Sequence, residues 1–372
     1  MKKIFVFAAV ILVMTMGLFS KEVFKDINLG RIFVINKDGF MYSDIDSHTI
    51  GKYSPEGKLV LKMGRKGEGP GDIKRMGWFA ISPKDGLIYV TEFAGGNKWV
   101  SKFTKNGKFV KEYNVEVDWR KIDGLSFNAI DEQGNTYIET TKNTFERYKE
   151  FSLGTVHRVL YKFSPEGKKL AEIYKFSGKF NADRGDKGNI TIPFHNYLYW
   201  KLYKDVIIVR EHHDDFVSIF NLDGSIKKKI HLPFKKEKLT KKDINRWGKI
   251  MRARPSMKEA IAKGWIDFNY WFKRLPYPDY KPVSGMQMFI DPEGYLLSCK
   301  YFGYERKNFR WARINLETGE NTVIRTPDDE KLLYIDKDFY YFRKEVDDAN
   351  YDEVLIKIPK DKLEVIHVGE KK

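Results

Sequence analysis

Residues 79–113 read FAISPKDGLIYVTEFAGGNKWVSKFTKNGKFVKEY, and this stretch decides the fold. Alternating apolar residues flank two tight turns, Asp85-Gly86 and Asn106-Gly107. Dipeptides of this kind tolerate the positive φ angles that short hairpins need, so the segment reads as two hairpins, four strands in all. The first turn returns at Asp38-Gly39, Gln133-Gly134, Lys204-Asp205, Glu293-Gly294 and Lys337-Asp338. The second returns at Glu56-Gly57, Glu166-Gly167, Asp223-Gly224, Thr318-Gly319 and, weakly, Lys360-Asp361. A four-stranded unit at a period of roughly 45–60 residues is a repeat architecture, and radial packing of such units makes a β-propeller.

The expectation is therefore an all-β chain: a six-bladed β-propeller of four-stranded antiparallel blades. The blades fall near 31–64, 76–116, 124–176, 197–234, 284–326 and 332–369, each complete in sequence order. Residues 22–30 are placed to add an outer strand to the sixth blade and help close the ring. The repeat fills the chain, so one domain over 21–372 is the better count although 372 residues could hold two. Hydrophobic content of 42% and aromatic content of 15% supply a large core, with flat rings to fill the space between blades.

The first twenty residues read as a secretory signal, with Lys2 and Lys3 before an apolar run from Ile4 to Met14 and small residues near Gly17 to Ser20. The apolar stretch is shorter than the ~20 residues a spanning helix needs. Export to a periplasm or beyond through a Sec-type signal is expected, an uncleaved N-terminal membrane anchor being the alternative. Cys299 is the only cysteine, so no intrachain disulfide forms. Its apolar setting, Tyr295 to Cys299, and the absence of a cysteine-enzyme pattern make it a buried inert thiol.

Net charge is +16, or +14 without Lys2 and Lys3. This favours polyanionic partners (acidic glycans, phosphorylated surfaces, anionic lipid headgroups), a solvated lysine-rich exterior being the plain reading. Nucleic acid is disfavoured, because no helix-turn-helix, zinc-finger or RNP signature is present. The expected partner is a protein, a glycan or another polyanionic ligand, membrane-surface association is left open, and a monomer is expected.

Residues 235–279 break the repeat. Thr240-Lys241-Lys242-Asp243 resembles a capping box, and Ser256-Met257-Lys258-Glu259 after Pro255 is a second. Two short amphipathic helices follow, one with Ile244, Trp247 and Ile250 on its apolar stripe, the other with Ala260, Ile261 and Trp265, extending toward Phe268.

Between the first two units stands Gly64-Arg65-Lys66-Gly67-Glu68-Gly69-Pro70-Gly71-Asp72. It resembles the G-x-x-G-x-G-P-G signature, followed by Glu or Asp, of bacterial six-bladed β-propeller proteins related to NHL repeats. Those proteins also carry a helical insert before a Lys-Pro stretch that leads to an Asp-x-x-Gly turn, here Lys281-Pro282 through Asp291 to Gly294. The resemblance covers essentially the whole mature chain and implies a six-bladed ring, export and a binding role. Some relatives are lactonase-like, strictosidine-synthase-like or amidating-lyase enzymes, but the metal-ligand constellation of such enzymes is lacking here, so no catalytic residue carries over. Four glycines in eight residues permit unusual backbone angles, with Gly69 and Gly71 expected at positive φ, and Pro70 stiffens the crossing. The alternative is an anion nest flanked by Arg65 and Lys66.

In a four-stranded blade, the loop between the second and third strands and the loop into the next blade emerge on one face. That face gathers the long loops, the opposite face having only tight turns, and binding residues concentrate on loops held by a rigid scaffold. The candidate ligand-binding residues there are Arg65, Lys66, Glu68, Asp72, Glu92, His212, His213, Tyr304 and Arg306. Glu211-His212-His213-Asp214-Asp215 offers imidazoles beside carboxylates, but adjacent strand residues point to opposite faces, which favours a polar hairpin tip over a metal site. Aromatic and basic residues interleave around Tyr304 and Arg306 and at Tyr270 to Arg274, where rings suit sugars and cations suit carboxylates. For Tyr270 and Trp271 the plain reading is that they pin the insert. The acids Glu68, Asp72, Glu92, Asp118 and Asp123 lie near the ring, but a glycosidase needs two carboxylates at a defined separation. No G-x-S-x-G, H-E-x-x-H or P-loop occurs. The leading expectation is a non-catalytic binding or scaffolding module. The rival is a propeller hydrolase or lyase with a divalent cation in the central channel, a cofactor for which no motif speaks.

Overall fold

The computed structural model describes residues 22–25, 27–30, 32–94, 97–148, 150–301, 310–327, 330–347 and 352–366. The signal expected at 1–20 lies outside them. Among them, six antiparallel sheets follow one another, at 33–63, 76–114, 124–191, 198–231, 284–325 and 330–359. Within each, the strands meander in chain order.

The second strand of each sheet carries adjacent apolar residues, because both of its faces are buried. Val90 packs toward the first sheet and Tyr89 toward the third. Ile138 and Tyr137, Ile207 and Ile208, and Leu296 and Leu297 divide themselves between neighbours in the same way. Phe342 faces the fifth sheet, while Tyr341 and Leu355 pack on Phe33, Met41 and Tyr53 of the first. Each sheet thus buries its faces against the sheets on either side, and the last meets the first. The innermost strands of neighbouring sheets also touch, from 76–81 against 124–130 round to 330–335 against 33–35. This is a β-propeller architecture. A fully buried Phe or Leu contributes ~1.5–3 kcal/mol, so the sheet-to-sheet layers are where stability resides.

The tight turns form as expected, with the exception of Lys360-Asp361. Asp131 shows how: its carboxylate accepts the Gln133 and Asn135 N–H groups and the Tyr137 hydroxyl, around Gly134 at φ +86°. The fourth unit lacks the glycine, and Lys204 itself takes φ +50°.

Closure uses the N-terminal segment as an outer strand of the sixth sheet, as the sequence suggested, but departs from it in how that sheet is completed. The sixth sheet is not completed in sequence order; Glu22–Phe24 supplies its outer strand, pairing Glu22 with Lys357 and Phe24 with Leu355. Lys360–Lys362 forms a 3-10 turn, not a hairpin, and Glu364–Ile366 joins the fifth sheet beside Val323 to Arg325. The physical reason is local. Lys360-Asp361 has no glycine for a left-handed turn, and Lys360 Nζ is drawn to Asp291 (3.3 Å) and Glu293 (3.4 Å) of the fifth sheet. The third sheet also exceeds expectation: its second to fourth strands run 12 to 16 residues and a fifth, Gly188–Thr191, is added.

The insert holds three helices where two were expected: Lys241–Ala253, Pro255–Ala262 and Phe268–Arg274. The Thr240 capping box forms, with Asp243 N–H donating to Thr240 Oγ1 and Thr240 N–H donating to Asp243 Oδ2. Ser256 does not cap; Pro255 occupies the first helical position, where a missing N–H costs nothing. Gly264 at φ +69° ends the second helix, and Asp267 caps the third through the Tyr270 N–H (2.9 Å). Trp247, Phe268, Trp271 and Leu275 pack against Leu153, Ala182, Ile190 and Phe194, fastening the insert to the outer part of the third sheet and the segment after it. Trp271 Nε1 donates to Lys187 O (2.8 Å) and Tyr270 Oη to Glu150 O (3.2 Å), so these two aromatics pin the insert. Ile261 and Trp265 do not join this core; they are 37% and 60% exposed. Among the described residues, no helix is long and apolar enough to cross a membrane.

Candidate functional site

One face is assembled where loops leaving the second strands meet segments entering the same sheet or the next. Met76 N–H donates to Ser47 O, Asp123 N–H to Thr141 O, His212 N–H to Tyr197 O and Val283 N–H to His212 O, at 2.7 to 2.9 Å. The extended third sheet and the helical insert rise from the same loop positions.

At this level each second strand carries a polar residue after its apolar pair: Asp44, Glu92, Glu139, Arg210, Ser298 and Arg343. The first five are buried, and several spend their hydrogen bonds on incoming segments. Asp44 Oδ1 accepts Ile32 N–H (2.7 Å) and Glu92 Oε2 accepts Lys74 N–H (2.9 Å). Arg343 donates to Leu29 O (2.7 Å) and Gly30 O. Arg210 donates to Ser298 Oγ and to the Gly285 and Gln287 carbonyls of the next sheet. Burial pushes the Glu92 and Glu139 carboxyls above the usual range, with Arg158 opposing the shift at Glu139. Burial lowers Arg210 to about 10, which leaves it cationic at neutral pH.

Four of the candidates form one network at the crossing between the first two sheets. Arg65 Nε donates to Asp72 Oδ1 (2.5 Å), and Asp72 Oδ2 accepts the Gly69 N–H (2.9 Å). The Arg65 hydrogen bond and that amide hold the Asp72 carboxyl below the usual range. The nest amide is thus filled by the chain's own carboxylate. A Cβ on Gly67 would collide with Asp72 Oδ2. Gly64 and Gly71 take left-handed φ of +80° and +82°, but Gly69 does not, correcting the expectation for that residue. Lys74 links the network onward, its N–H to Glu92 and its Nζ 3.7 Å from the exposed Glu68. Lys66 is exposed beside them.

His212 and His213 enter a second cluster at the junction of the third, fourth and fifth sheets, with Arg158, His195, Tyr197 and Tyr199. Tyr197 lies 4.0 Å from the His195 ring and 5.3 Å from that of His212, which also meets Tyr199 at 5.2 Å. His195 Nδ1 bonds Ile192 O (2.5 Å) and His213 Nε2 bonds Phe194 O (2.6 Å). Burial lowers His195 to about 4 and lowers His212 and His213, so all three imidazoles are neutral near pH 7. Glu211 is held by Tyr174 Oη (2.6 Å) and Asn196 Nδ2 (2.7 Å). Five buried atoms here find no hydrogen-bond partner among the described residues: Arg158 Nε, His195 Nε2, Arg210 Nε, His212 Nε2 and Ser284 Oγ. Arg158, with 23% of its side chain exposed, sits 3.4 Å from Glu139. Two residues along from Tyr199, Lys201 of the first strand of the fourth sheet is open to solvent.

Neutral imidazoles, guanidinium N–H groups and tyrosine rings can hydrogen-bond and stack on a polar or anionic ligand. Among the described residues, no three His, Cys, Asp or Glu are grouped to hold a metal. Cys299 is buried and its thiol is pushed up to about 12, so it is not a nucleophile at neutral pH. Tyr304 and Arg306 lie outside the described residues. The sequence reading missed Arg158, His195, Tyr197 and Arg210. A usable signal existed for the last: a charged residue closing the apolar run of the second strand in five of the six units. The opposite face, expected to hold only tight turns, carries a cleft of about 590 Å³ between the fifth and sixth sheets, lined by Glu293, Arg313, Lys337, Tyr340 and Lys360 among others. Its Lys360 and Arg313 already face Asp291 and Glu293.

No protein-family model matches the sequence, and no curated protein does. Solved structures resemble it in shape. A Bacteroides fragilis protein described as exported aligns over 96% of both chains at 11% identity and a TM-score of 0.49. A DUF4221 family member from Bacteroides vulgatus covers 94% of this chain and 97% of its own at 10% identity and 0.49. Regucalcin from Agrobacterium tumefaciens, a calcium-binding protein, covers 93% and 95% at 12% and 0.43. At such identities and TM-scores the likeness carries no information on function, and the propeller assignment stands on sheet order and packing.

Proposed function

We propose that the chain is an exported six-bladed β-propeller of the NHL-repeat-like kind, a signal at 1–20 followed by one domain at 21–372. We further propose that it is a non-catalytic binding module whose loop-rich face takes an acidic glycan or similar polyanionic ligand. The observation that carries this reading is the junction of the third, fourth and fifth sheets. There, partly open Arg158 lies over the Tyr197 ring and exposed Lys201 stands two residues along from Tyr199, with His195 Nε2, Arg210 Nε and His212 Nε2 lacking a partner among the described residues. Cations suit a carboxylate and flat rings suit a sugar face. The carboxylates at the junction, Glu139 and Glu211, are each engaged by their own partners.

The test is a thermal-shift screen of acidic oligosaccharides against the native protein, Lys201→Ala and Arg158→Lys. A saccharide that binds the folded state raises the melting temperature by mass action. The proposal requires a hit that weakens in both variants. No stabilising saccharide, or one indifferent to both substitutions, would remove the reading.

A further inference from the structure

We propose that the helical insert docks this protein onto a membrane surface rich in anionic phospholipid headgroups, with Trp265 and Ile261 as the inserted anchor. The proposal is independent of what the junction of the third, fourth and fifth sheets binds.

Charge points to the insert first. Residues 235–279 hold thirteen Lys or Arg against five Asp or Glu, a net +8, half of the chain's +16 in a small part of its length. Lys241, Lys242, Lys249, Lys258 and Lys273 are exposed and make no ion pair among the described residues. Such a density of basic residues is attracted to an anionic bilayer surface.

The apolar element is separate evidence. Residues three and four apart share one side of a helix. Lys258, Ile261, Ala262 and, just past the helix end, Trp265 follow that spacing and are all exposed. The amphipathic pattern that suggested a buried stripe therefore faces outward. Trp265 is held in place by its backbone: Gly188 leaves no room for a Cβ against the Trp265 carbonyl, and Asp267 N–H donates to Lys187 O (3.2 Å). The indole is thus presented from a fixed main chain, with Lys263 Nζ 4.6 Å from its ring. A soluble polyanion would use the lysines but offer the indole and Ile261 no apolar medium. A lipid interface uses both, seating Trp at headgroup depth while lysines reach the phosphates.

The test is co-sedimentation with phosphatidylcholine vesicles, with and without phosphatidylglycerol, at low and high salt. Retention is expected only with phosphatidylglycerol and is expected to fall with salt. Lys249→Ala with Lys258→Ala should lower partitioning about fivefold per lysine. Trp265→Ala with Ile261→Ala should lower it about tenfold or more, with the melting temperature unchanged because both side chains are exposed. Brominated acyl chains should quench tryptophan emission in the native protein and much less in Trp265→Phe. Equal retention on neutral vesicles, retention indifferent to the Trp265 and Ile261 changes, or binding to heparin with none to vesicles would each overturn the proposal.

Discussion

Gly71→Ala should be expensive and Gly69→Ala should not, although the two glycines flank one proline in the same signature. Gly71 sits at φ +82°, where an L-residue costs ~1–2 kcal/mol. A Cβ there would also lie 2.8 Å from the Phe109 Cβ, and overpacking of that kind costs ~1–3 kcal/mol. The sum is about 2–5 kcal/mol. Gly69 lies outside the left-handed region, and its Cβ would stand 3.2 Å from the Asp72 Oδ2 at the edge of an exposed loop, so the cost should stay under ~1 kcal/mol. Urea titration followed by tryptophan fluorescence is the suitable assay, because in a chain this long each kcal/mol shifts Tm by only ~1–2 °C. Equal costs at the two positions, or a neutral Gly71→Ala, would refute the account of the crossing as a backbone device clamped by Arg65 and Asp72.

Four further outcomes are expected. Glu22→Cys with Lys357→Cys should form a disulfide under mild oxidation, because the two are register partners where the N-terminal strand closes the sixth sheet; free thiols throughout would contradict that closure. Arg210→Ala should cost ~3–5 kcal/mol by orphaning Gly285 O, Gln287 O and Ser298 Oγ, and a change under ~1 kcal/mol by urea titration would disprove its bracing role. His195, His212 and His213 bind protons more weakly folded than unfolded, where histidine titrates near ~6.5. Their stabilising contribution is therefore present above that value and lost as pH falls toward 4, so urea midpoints should drop over that window and His195→Gln should flatten the drop. Cys299 should resist thiol reagents in the native protein and react once unfolded, whereas fast native labelling would contradict its burial.

The turns were legible because their chemistry is local: Asp131 and Gly134, or Thr240 and Asp243, act across a few residues and announce themselves by type and spacing. Closure was legible only in part: the outer-strand place of residues 22–30 was readable, but the loss of the last hairpin was not, because it is decided by Lys360 reaching Asp291 and Glu293, some seventy residues away, against a turn dipeptide that merely lacked glycine. The crossing was half legible. Its glycines implied backbone freedom, but that Asp72 folds back on Gly69 and excludes a Cβ at Gly67 depends on coordinates. At the junction of the third, fourth and fifth sheets, His212 and His213 stood out as a pair, whereas Arg158, His195 and Tyr197 reach them only through the packing of separate sheets. The outward position of Trp265 was unreadable for a related reason. Helical spacing gives a stripe, and only the contacts of the insert with the third sheet decide that Trp247 and Trp271 are buried in its place.

The central claim is that this propeller binds without metal-dependent catalysis, and elemental analysis of the purified protein, with thermal-shift titrations of calcium, magnesium, manganese and zinc, tests it most directly. The account predicts no stoichiometric metal and no shift with any of the four. A stoichiometric ion that raises the melting temperature by mass action would contradict it and favour a hydrolase or lyase built around the channel.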